Sequence, residues 1–165
     1  MIRAARPSDY RALQDIERRA GELFREIGMP EIADDEPLSA DHLASGAALY
    51  VATDDADEPV GYALVDLVDG QAHLEQISVV PEAGRQGIGT ALIDAVVDWA
   101  RARGDGAVTL VTFRDVPFNA PLYARRGFAI VDESDWTEGQ RAVIEKERAD
   151  GLDITTRVVM RRLLQ

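Results

Sequence analysis

A strand, a glycine-rich turn and a long amphipathic helix follow one another in residues 72–103, and this succession constrains the fold more than any other part of the chain. In residues 72–80 the β-branched side chains favour an extended strand, and Pro81 ends it because proline has no backbone N–H to donate. The following apolar residues recur at the spacing of one helical face, with charged residues opposite. The apolar positions are Ile88, Ala91, Leu92, Ala95, Val96 and Trp99, and the charged ones are Asp94, Asp98 and Arg101. The pattern predicts a helix that starts at Ile88.

The turn between strand and helix, residues 84–90, has the properties of an anion site. Its glycines remove the Cβ atoms that would keep a ligand away from the main chain. The first N–H groups of the helix lack intrahelical acceptors, and they stand at the positive end of the helix dipole, where anions bind. Since glycine spacing alone is a weak signal, an ordinary glycine-rich turn is the alternative interpretation.

Two familiar phosphate-binding motifs do not fit this turn. A Walker loop ends in Gly-Lys-Ser/Thr, whereas here Gly89 is followed by Thr90 with no lysine. A dinucleotide-binding fingerprint has the spacing G-x-G-x-x-G, whereas these glycines run G-x-x-G-x-G. Neither nucleotide-binding class is therefore indicated.

A second motif occupies residues 117–128, which read as a short helix ended by Gly127. Asn119 and Tyr123 are four residues apart and therefore lie on one face of that helix. The two motifs, which together span residues 72–128, or about 60 residues, resemble the two signatures of the GCN5-related N-acetyltransferase (GNAT) family. The second is a shortened variant of N-x-x-A-x-x-x-Y-x-x-x-G-F with Pro121 in its first turn.

The resemblance implies that acetyl-CoA is the co-substrate, with its pyrophosphate on the turn amides and its pantetheine arm paired with the preceding strand. The cofactor-binding residues it implies are Ile77, Ser78, Val79, Gly84, Arg85, Gln86, Gly87, Ile88, Gly89, Thr90, Asn119 and Tyr123. Gly84 departs from the family motif, which has Arg or Gln there, and Arg85 is the neighbouring cation. The alternative for Asn119 is a helix cap.

Acetyl transfer to an amine needs a base, because an alkylamine of pKa about 10.4 is almost fully protonated at pH 7. By alternation along the strand, Glu75 lies on the same face as Ile77 and Val79 and is the first candidate, directly or through a water. His73 on that face is the second. The resemblance assigns Tyr123 to the leaving thiolate. The competing interpretations are a solvent-facing Glu75 and a Tyr123 that only packs in the core.

The remaining elements follow from periodicity and turn signals. Strands are predicted at residues 2–5, 48–52, 60–68, 107–113, 128–131 and 154–163, and helices at 39–45 and 136–150. A further helix starts at Asp9 with Ser8 as N-cap, carries an apolar face as far as Phe24 and is broken at residues 28–30. Strands 48–80 form an antiparallel meander, and the helical crossover makes 107–113 parallel to 72–80. The expected class is α/β (α+β): a mixed, mostly antiparallel sheet of six to seven strands with helices on both faces. The resemblance adds that the parallel pair is splayed.

Composition limits the function classes. The 165 residues suit one domain, residues 1–165. A net charge of −12 argues against nucleic-acid binding. The acidic residues 34–36 and 54–58 favour a cationic acceptor, and negative charge that serves only solubility is the alternative interpretation. No cysteine is present, and neither a signal core nor a membrane span is apparent, so we expect a cytoplasmic protein without membrane partners.

The sequence thus predicts an N-acetyltransferase that transfers the acetyl group from acetyl-CoA to a primary amine of a small molecule or peptide, by direct attack in a ternary complex. No metal or prosthetic group is expected. The alternative is a non-catalytic acyl-CoA-binding regulatory or sensor module on the same fold, because Gly84 replaces the family's Arg or Gln. The resemblance also allows a homodimer.

Overall fold

The computed structural model describes residues 1–84, 86–151 and 157–165. Its strands are β1 Ile2–Ala4, β2 Ala48–Thr53, β3 Pro59–Val68, β4 Gln71–Val79, β5 Ala107–Phe113, β6 Ala129–Val131 and β7 Arg157–Leu163. Its α-helices are α1 Tyr10–Glu26, α2 Pro30–Ala33, α3 Ala40–Ser45, α4 Ile88–Arg103, α5 Ala120–Ala124 and α6 Glu138–Ala149. Short 3-10 helices lie at Pro7–Asp9, Pro81–Ala83 and Glu133–Asp135. The first three residues of the last predicted strand, 154–156, lie outside the described residues.

The strands form one sheet in the order β1-β2-β3-β4-β5-β7-β6. Strands β1 with β2, β2 with β3, β5 with β7, and β6 with β7 are antiparallel. Strands β4 and β5 are parallel, with Ala72 opposite Val108 and His73 opposite Thr109. The predicted mixed sheet with one parallel pair is therefore confirmed, and the parallel pair follows from the crossover through α4.

The chain divides into two compact units. The first unit comprises Met1–Val65 and Gln76–Val96, and the second comprises Asp66–Glu75 and Val97–Gln165. A single domain over residues 1–165 stays a prediction. Within the described residues, no helix is both long enough and apolar enough to cross a membrane.

The core of the first unit lies between α1, α3 and strands β2 and β3. Its buried members are Leu13, Ile16, Leu43, Val51, Tyr62, Leu64, Val80 and Ala83. Leu13 and Ile16 come from the apolar stripe predicted for α1, at the i, i+3 spacing that places both on one helical face. The stripe thus explains which face of α1 is buried.

The start of α1 differs from the prediction that Ser8 is its N-cap. The 3-10 helix Pro7–Asp9 precedes α1, and the Asp9 carboxylate accepts the Arg6 N–H at 2.7 Å. The Arg3 guanidinium donates to both Asp9 carboxylate oxygens, at 2.8 and 3.1 Å, and holds the pKa of Asp9 below its usual value. An ionised carboxylate is a stronger acceptor than a serine hydroxyl, and the bonds from Arg3 favour the ionised form of Asp9. Asp9 therefore organises this turn instead of Ser8.

The segment before α3 is held by α1 through both backbone groups of Leu38. Gln14 Nε2 donates to the Leu38 carbonyl at 3.0 Å, and the Leu38 N–H donates to Glu17 Oε1 at 3.0 Å. Tyr62 Oη donates to the same oxygen at 2.7 Å, and burial raises the pKa of Glu17. Ser39 then caps α3 by accepting the His42 N–H at 3.1 Å. The acidic residues 34–36 thus precede the fixed residue Leu38 with only Pro37 between them.

The buried face of α4 is displaced from the predicted one. Leu92 and Val96 are buried as expected, but Ile93, Val97 and Ala100 are buried with them. Trp99 of the predicted face is only half-buried, and the Arg103 guanidinium covers its ring at 4.9 Å from the centroid. Because α4 carries apolar residues on two adjacent stripes, its sequence period cannot decide which stripe packs against the sheet.

In the second unit, α6 packs through Ile144 against Val131 and Val159, with Val111 and Trp136 at the edge of this cluster. Thr137 caps the helix in a capping box with Gln140, so the helix starts two residues later than predicted. Trp136 precedes the helix and donates its Nε1–H to the Val131 carbonyl at 3.2 Å.

Candidate active site

The glycine-rich turn lies in the first unit between the 3-10 helix Pro81–Ala83 and α4. The Gly84 N–H donates to the Pro81 carbonyl at 3.1 Å, and a Cβ at Gly84 would lie 3.2 Å from that oxygen. Gly87 has φ +77°, in the left-handed region where a side chain is strained. Arg85, which the sequence predicts as a cation beside the cofactor, lies outside the described residues.

The N-terminus of α4 is open where a ligand would approach. The first intrahelical bond runs from the Ala91 N–H to the Gly87 carbonyl at 2.9 Å, so the preceding N–H groups have no acceptor within the helix. Apart from its chain neighbours and the adjoining backbone of α4, no heavy atom of the described residues lies within 4 Å of the position a Cβ would take on Gly89. Free amides, a helix dipole and this open space fit a phosphate group.

Gly61 of β3, which the sequence analysis does not single out, brings α4 close to the strands. A Cβ there would lie 3.1 Å from the Ser78 carbonyl, 3.2 Å from Val79 Cγ2 and 3.3 Å from Ile88 Cγ2. A glycine inside a strand pattern commonly marks such an approach of another backbone, which is the signal that identifies this position. Gly61 thus permits the first residue of α4 to pack against both strands.

Arg19 of α1 also contacts the segment before the turn. Its guanidinium forms an ion pair with Glu82 of the 3-10 helix. The pKa of Glu82 is lowered, first by the hydrogen bond from its own backbone N–H and then by the bond from Arg19. Both side chains are exposed, so the pair contributes little to stability.

Strand β4 presents the next predicted residues. Ile77 and Val79 are half-buried, and Ser78 is buried and accepts a bond from Gln76 Nε2 at 3.0 Å. Glu75 is half-buried. Gln76 is half-buried as well, so burial along β4 alternates only from Ile77 to Val80 and does not by itself assign Glu75 to the face of Ile77 and Val79.

His73, the second candidate base, is buried in the second unit. Its Nδ1 lies 2.8 Å from Thr109 Oγ1, and burial lowers the pKa of the imidazole to about 4 against the opposing charge of Asp66. The ring is therefore neutral at pH 7, because burial disfavours the imidazolium.

Asn119 stands at the N-cap position of α5, but its side chain makes no cap bond to the described residues. Its Oδ1 instead accepts the Thr112 hydroxyl of β5 at 2.9 Å. Its backbone carbonyl accepts the Tyr123 N–H at 3.0 Å. Asn119 thus ties the first turn of α5 to the end of β5.

Tyr123 is buried, and its ring meets that of Phe128 edge to face with 6.0 Å between centroids. Burial raises the pKa of its phenol to about 12, while the charge of Arg157 opposes this shift. The phenol therefore carries its proton at neutral pH and can donate it.

The structure thus places the predicted residues in both units. Residues 77–79, 84 and 86–90 belong to the first unit, and Glu75, Asn119 and Tyr123 belong to the second. Within the second unit Tyr123 lies in α5, whereas Asn119 is the N-cap residue before it, with φ −120° and ψ −114°, and is therefore not part of the predicted helical face. The two residues are joined by the backbone bond from the Tyr123 N–H to the Asn119 carbonyl. Arg157, the first residue of β7, lies outside both sequence motifs, so no local pattern marks it as a functional residue.

Solved structures show the same fold. N-acetylglutamate synthase from Neisseria gonorrhoeae, in complex with coenzyme A and N-acetylglutamate, matches with a TM-score of 0.74 and 19% identity. The match covers all of this chain and 35% of that one, so this chain spans about a third of that protein's length. The ribosomal-protein-S18-alanine N-acetyltransferase from Escherichia coli matches with a TM-score of 0.69 and 22% identity over 100% of this chain and 94% of that chain.

PaiA N-acetyltransferase from Thermoplasma acidophilum, in complex with coenzyme A, matches with a TM-score of 0.68 and 17% identity over 99% of this chain and 98% of that chain. At these identities the likeness concerns the fold. The sequence itself matches a model of the acetyltransferase (GNAT) family over residues 10–128, which include the turn, α4, Asn119 and Tyr123. By this match over most of its length, the chain belongs to the acetyltransferase (GNAT) family.

Proposed function

We propose that this protein is an N-acetyltransferase that transfers the acetyl group of acetyl-CoA to a primary amine of a small molecule or peptide. The observation that carries the proposal is the open N-terminus of α4, with the positive φ of Gly87 and the free space at Gly89, inside the segment that matches the family. The complexes of N-acetylglutamate synthase and PaiA with coenzyme A support the choice of cofactor.

Cofactor binding is assigned to two backbone segments. The amides of residues 84–90 bind the pyrophosphate, because free N–H groups at a helix N-terminus favour anions. The backbone of residues 77–79 pairs with the pantetheine arm. Asn119 binds the cofactor through its side-chain NH₂ group, since its Oδ1 accepts the Thr112 hydroxyl.

The reaction proceeds by direct attack. The amine nitrogen attacks the thioester carbonyl carbon and forms the C–N bond, and the C–S bond then breaks with its electron pair moving to sulfur. A base removes the proton of the attacking nitrogen, and the Tyr123 phenol donates its proton to the departing sulfur. Holding amine and thioester together supplies several kcal/mol of the barrier reduction.

Glu75 is the proposed base, directly or through one water. It is half-buried and so accessible to a substrate. His73 is the weaker candidate because its ring is buried and its Nδ1 already contacts Thr109. The acceptor is proposed to be cationic, since the chain carries a net charge of −12.

A non-catalytic acyl-CoA-binding module is the second candidate, favoured by Gly84 in place of the family's Arg or Gln. An acetyltransferase releases the coenzyme A thiol when an acceptor amine is present, whereas a non-catalytic binding module does not. The experiment is release of the coenzyme A thiol from acetyl-CoA across simple amines, polyamines, aminoglycosides, amino acids and lysine peptides, with calorimetry of acetyl-CoA binding. Release with one acceptor class supports the enzyme, whereas tight binding without release above hydrolysis supports the module. Absence of binding contradicts both.

Tyr123→Phe provides the catalytic test. We expect kcat to fall by about 100-fold or more, the usual contribution of a general acid, while the Kd for acetyl-CoA changes little. Phe retains the edge-to-face contact with Phe128, so the variant removes only the hydroxyl. An unchanged kcat would show that Tyr123 is not the leaving-group acid.

A further inference from the structure

Arg157, the first residue of β7, is a cation enclosed by the second unit. Its Nη2 lies 2.6 Å from Glu147 Oε1 and its Nε lies 3.1 Å from Glu147 Oε2, a two-point ion pair. Side-chain exposure is 10% for Arg157 and 21% for Glu147, so the pair is far less solvated than the exposed Arg148–Glu145 pair on the same helix. Such bidentate pairs fix the orientation of the guanidinium.

The partner carboxylate belongs to α6, a helix that follows the family-matched residues 10–128. The N-terminal end of α6 is fixed by Thr137, whose hydroxyl donates to the Asp69 carboxylate in the turn between β3 and β4. Near the other end of α6, Glu147 holds Arg157. The helix is thus held at its N-terminal end by the Thr137–Asp69 bond and near its C-terminal end by the ion pair between Glu147 and the Arg157 guanidinium.

Arg157 and α5 are attached to the same end of β5. Arg157 lies opposite Phe113 in the β5–β7 register, and its guanidinium stacks 4.5 Å from the centroid of the Phe113 ring. The preceding residue, Thr112, donates to Asn119, whose carbonyl accepts the Tyr123 N–H. One strand end therefore supports both the cation and the helix that carries Tyr123.

We propose that Arg157, held by Glu147 of α6, is a positioning residue that stabilises the Tyr123 phenolate formed when the phenol gives its proton to the departing thiolate. The inference rests on the proposed function. In the step, the electron pair of the C–S bond moves to sulfur, the phenol O–H bond breaks and an S–H bond forms. A buried phenolate remains until it takes a proton from solvent or, through solvent, from the base that accepted the proton of the attacking nitrogen.

The need for such a cation follows from the two acidities. Burial raises the pKa of Tyr123 to about 12, whereas the thiol it must protonate has a pKa of about 8.5. The transfer is therefore uphill, and a fixed positive charge that favours the phenolate lowers the barrier. Arg157 is linked to Tyr123 by the shared end of β5, through Phe113 on one side and Thr112 and Asn119 on the other. Among the described residues, its positive charge opposes the rise in the pKa of Tyr123 that burial causes.

The first test measures ionisation and is independent of turnover. With 3,5-difluorotyrosine at position 123, whose phenol is more acidic, the titration is followed by absorbance below the range of the ordinary tyrosines. Arg157→Gln is expected to raise the midpoint by about one pH unit, the effect typical of a lost neighbouring charge. Arg157→Lys keeps the positive charge and should raise the titration midpoint less. Arg148→Gln removes an exposed arginine of α6 and should leave the midpoint unchanged.

The second test is a double-mutant cycle on kcat in the amine assay. Arg157→Gln should lower kcat by about tenfold, which corresponds to one pH unit in the titration, with the KM for acetyl-CoA unchanged. In the Tyr123→Phe background it should cause no further loss, because its effect is routed through the phenol. If Arg157→Gln fails to fold, Arg157→Gln with Glu147→Gln removes both charges and leaves none unpaired.

The outcomes separate the two proposals. A titration that does not move, or equal losses of kcat with and without the Tyr123 hydroxyl, would overturn the role of Arg157 in an otherwise active enzyme. A wild-type protein that acetylates no amine would contradict the proposed function and with it the catalytic part of this inference. A higher titration midpoint in Arg157→Gln, together with non-additive losses of kcat in the cycle, would establish that Arg157 acts through the Tyr123 hydroxyl in an active acetyltransferase.

Discussion

Alanine substitutions at two glycines of the turn test two different effects, backbone strain at Gly87 and ligand access at Gly89. Gly87 has φ +77°, so Gly87→Ala should cost about 1 kcal/mol of stability through strain alone. Gly89 lies in the first turn of α4 with free space around it, so Gly89→Ala should be neutral or stabilising by up to about 1 kcal/mol. If coenzyme A binds over this turn, Gly89→Ala nevertheless weakens acetyl-CoA binding, because its methyl group occupies the approach to the amides.

Urea denaturation and calorimetry of the two variants measure these effects. Gly104→Ala is the control for strain, since Gly104 also has a positive φ, +84°, but lies past the C-terminal end of α4. It should lose stability like Gly87→Ala and bind acetyl-CoA like the wild type. Undiminished binding by Gly89→Ala would exclude the turn as the pyrophosphate site.

His73 predicts a pH dependence of stability. Its pKa is about 4 in the folded protein and 6.5 in the unfolded chain, so only the unfolded chain takes up the proton between these values. The stabilisation is therefore complete above pH 6.5 and is lost as pH falls toward 4, by about 3 kcal/mol in total. Urea unfolding of wild type and His73→Gln from pH 7.5 to 4.5 should show the steeper decline in the wild type.

The comparison isolates His73 because the carboxylates with shifted pKa values are common to both proteins. Asp9, whose pKa Arg3 lowers, affects both to the same extent at acidic pH. Parallel stability curves for wild type and variant would mean that the imidazole is protonated in the folded state.

Among the elements, α6 requires a glycine in its first turn, at Gly139, because the Asp69 side chain lies close to it. A Cβ at Gly139 would lie 2.5 Å from Asp69 Oδ1, so Gly139→Ala should destabilise the protein although alanine favours helices. In an Asp69→Gly background the clash disappears, and the same substitution should become stabilising by up to about 1 kcal/mol. Asp69 has φ +54°, which glycine adopts without strain.

Thermal unfolding of the wild type, Gly139→Ala, Asp69→Gly and the double variant measures whether the stability effect of Gly139→Ala changes sign. Thr137→Ala is the companion variant and should cost about 1 kcal/mol by loss of the cap. A destabilising Gly139→Ala in both backgrounds would show that Asp69 is not the group that requires glycine.

Most elements were predictable because each carries its own period and its own stop signals. The strands around 48–53, 59–68 and 71–79 are bounded by turn residues, and α4 is bounded by glycines, so the predicted and observed limits agree within one or two residues. Ser8 and the buried face of α4 were mispredicted. Both depend on partners, the Arg3 guanidinium and the surface against which Ile93 and Val97 pack, that lie outside the local pattern.

On the scale of the whole molecule, the net charge of −12 predicts that salt stabilises the fold. Like charges repel one another in the compact state, and screening at about 150 mM salt limits that repulsion to roughly 8 Å. The exposed ion pairs weaken at the same time, but each contributes at most about 1 kcal/mol. We therefore expect the Tm at pH 7.5 to rise between low salt and 150 mM NaCl.

The same series near pH 4.5, the sequence pI, is the control, since the net repulsion vanishes there and the rise in Tm should vanish with it. A fall in Tm with salt at pH 7.5 would mean that the ion pairs outweigh the repulsion.

What the sequence by itself determined is the family, the order of strands and helices, and the backbone segments proposed for coenzyme A. Those depend on local properties: side-chain period, proline and glycine stops, and the Cβ-free turn at residues 84–90. Only the tertiary structure decided that Gly61 admits Ile88, that His73 is buried and neutral, and that α6 delivers Glu147 to Arg157. The reason is physical: a pKa, a close approach and a two-point ion pair each depend on groups distant in sequence that only packing brings within a few ångströms.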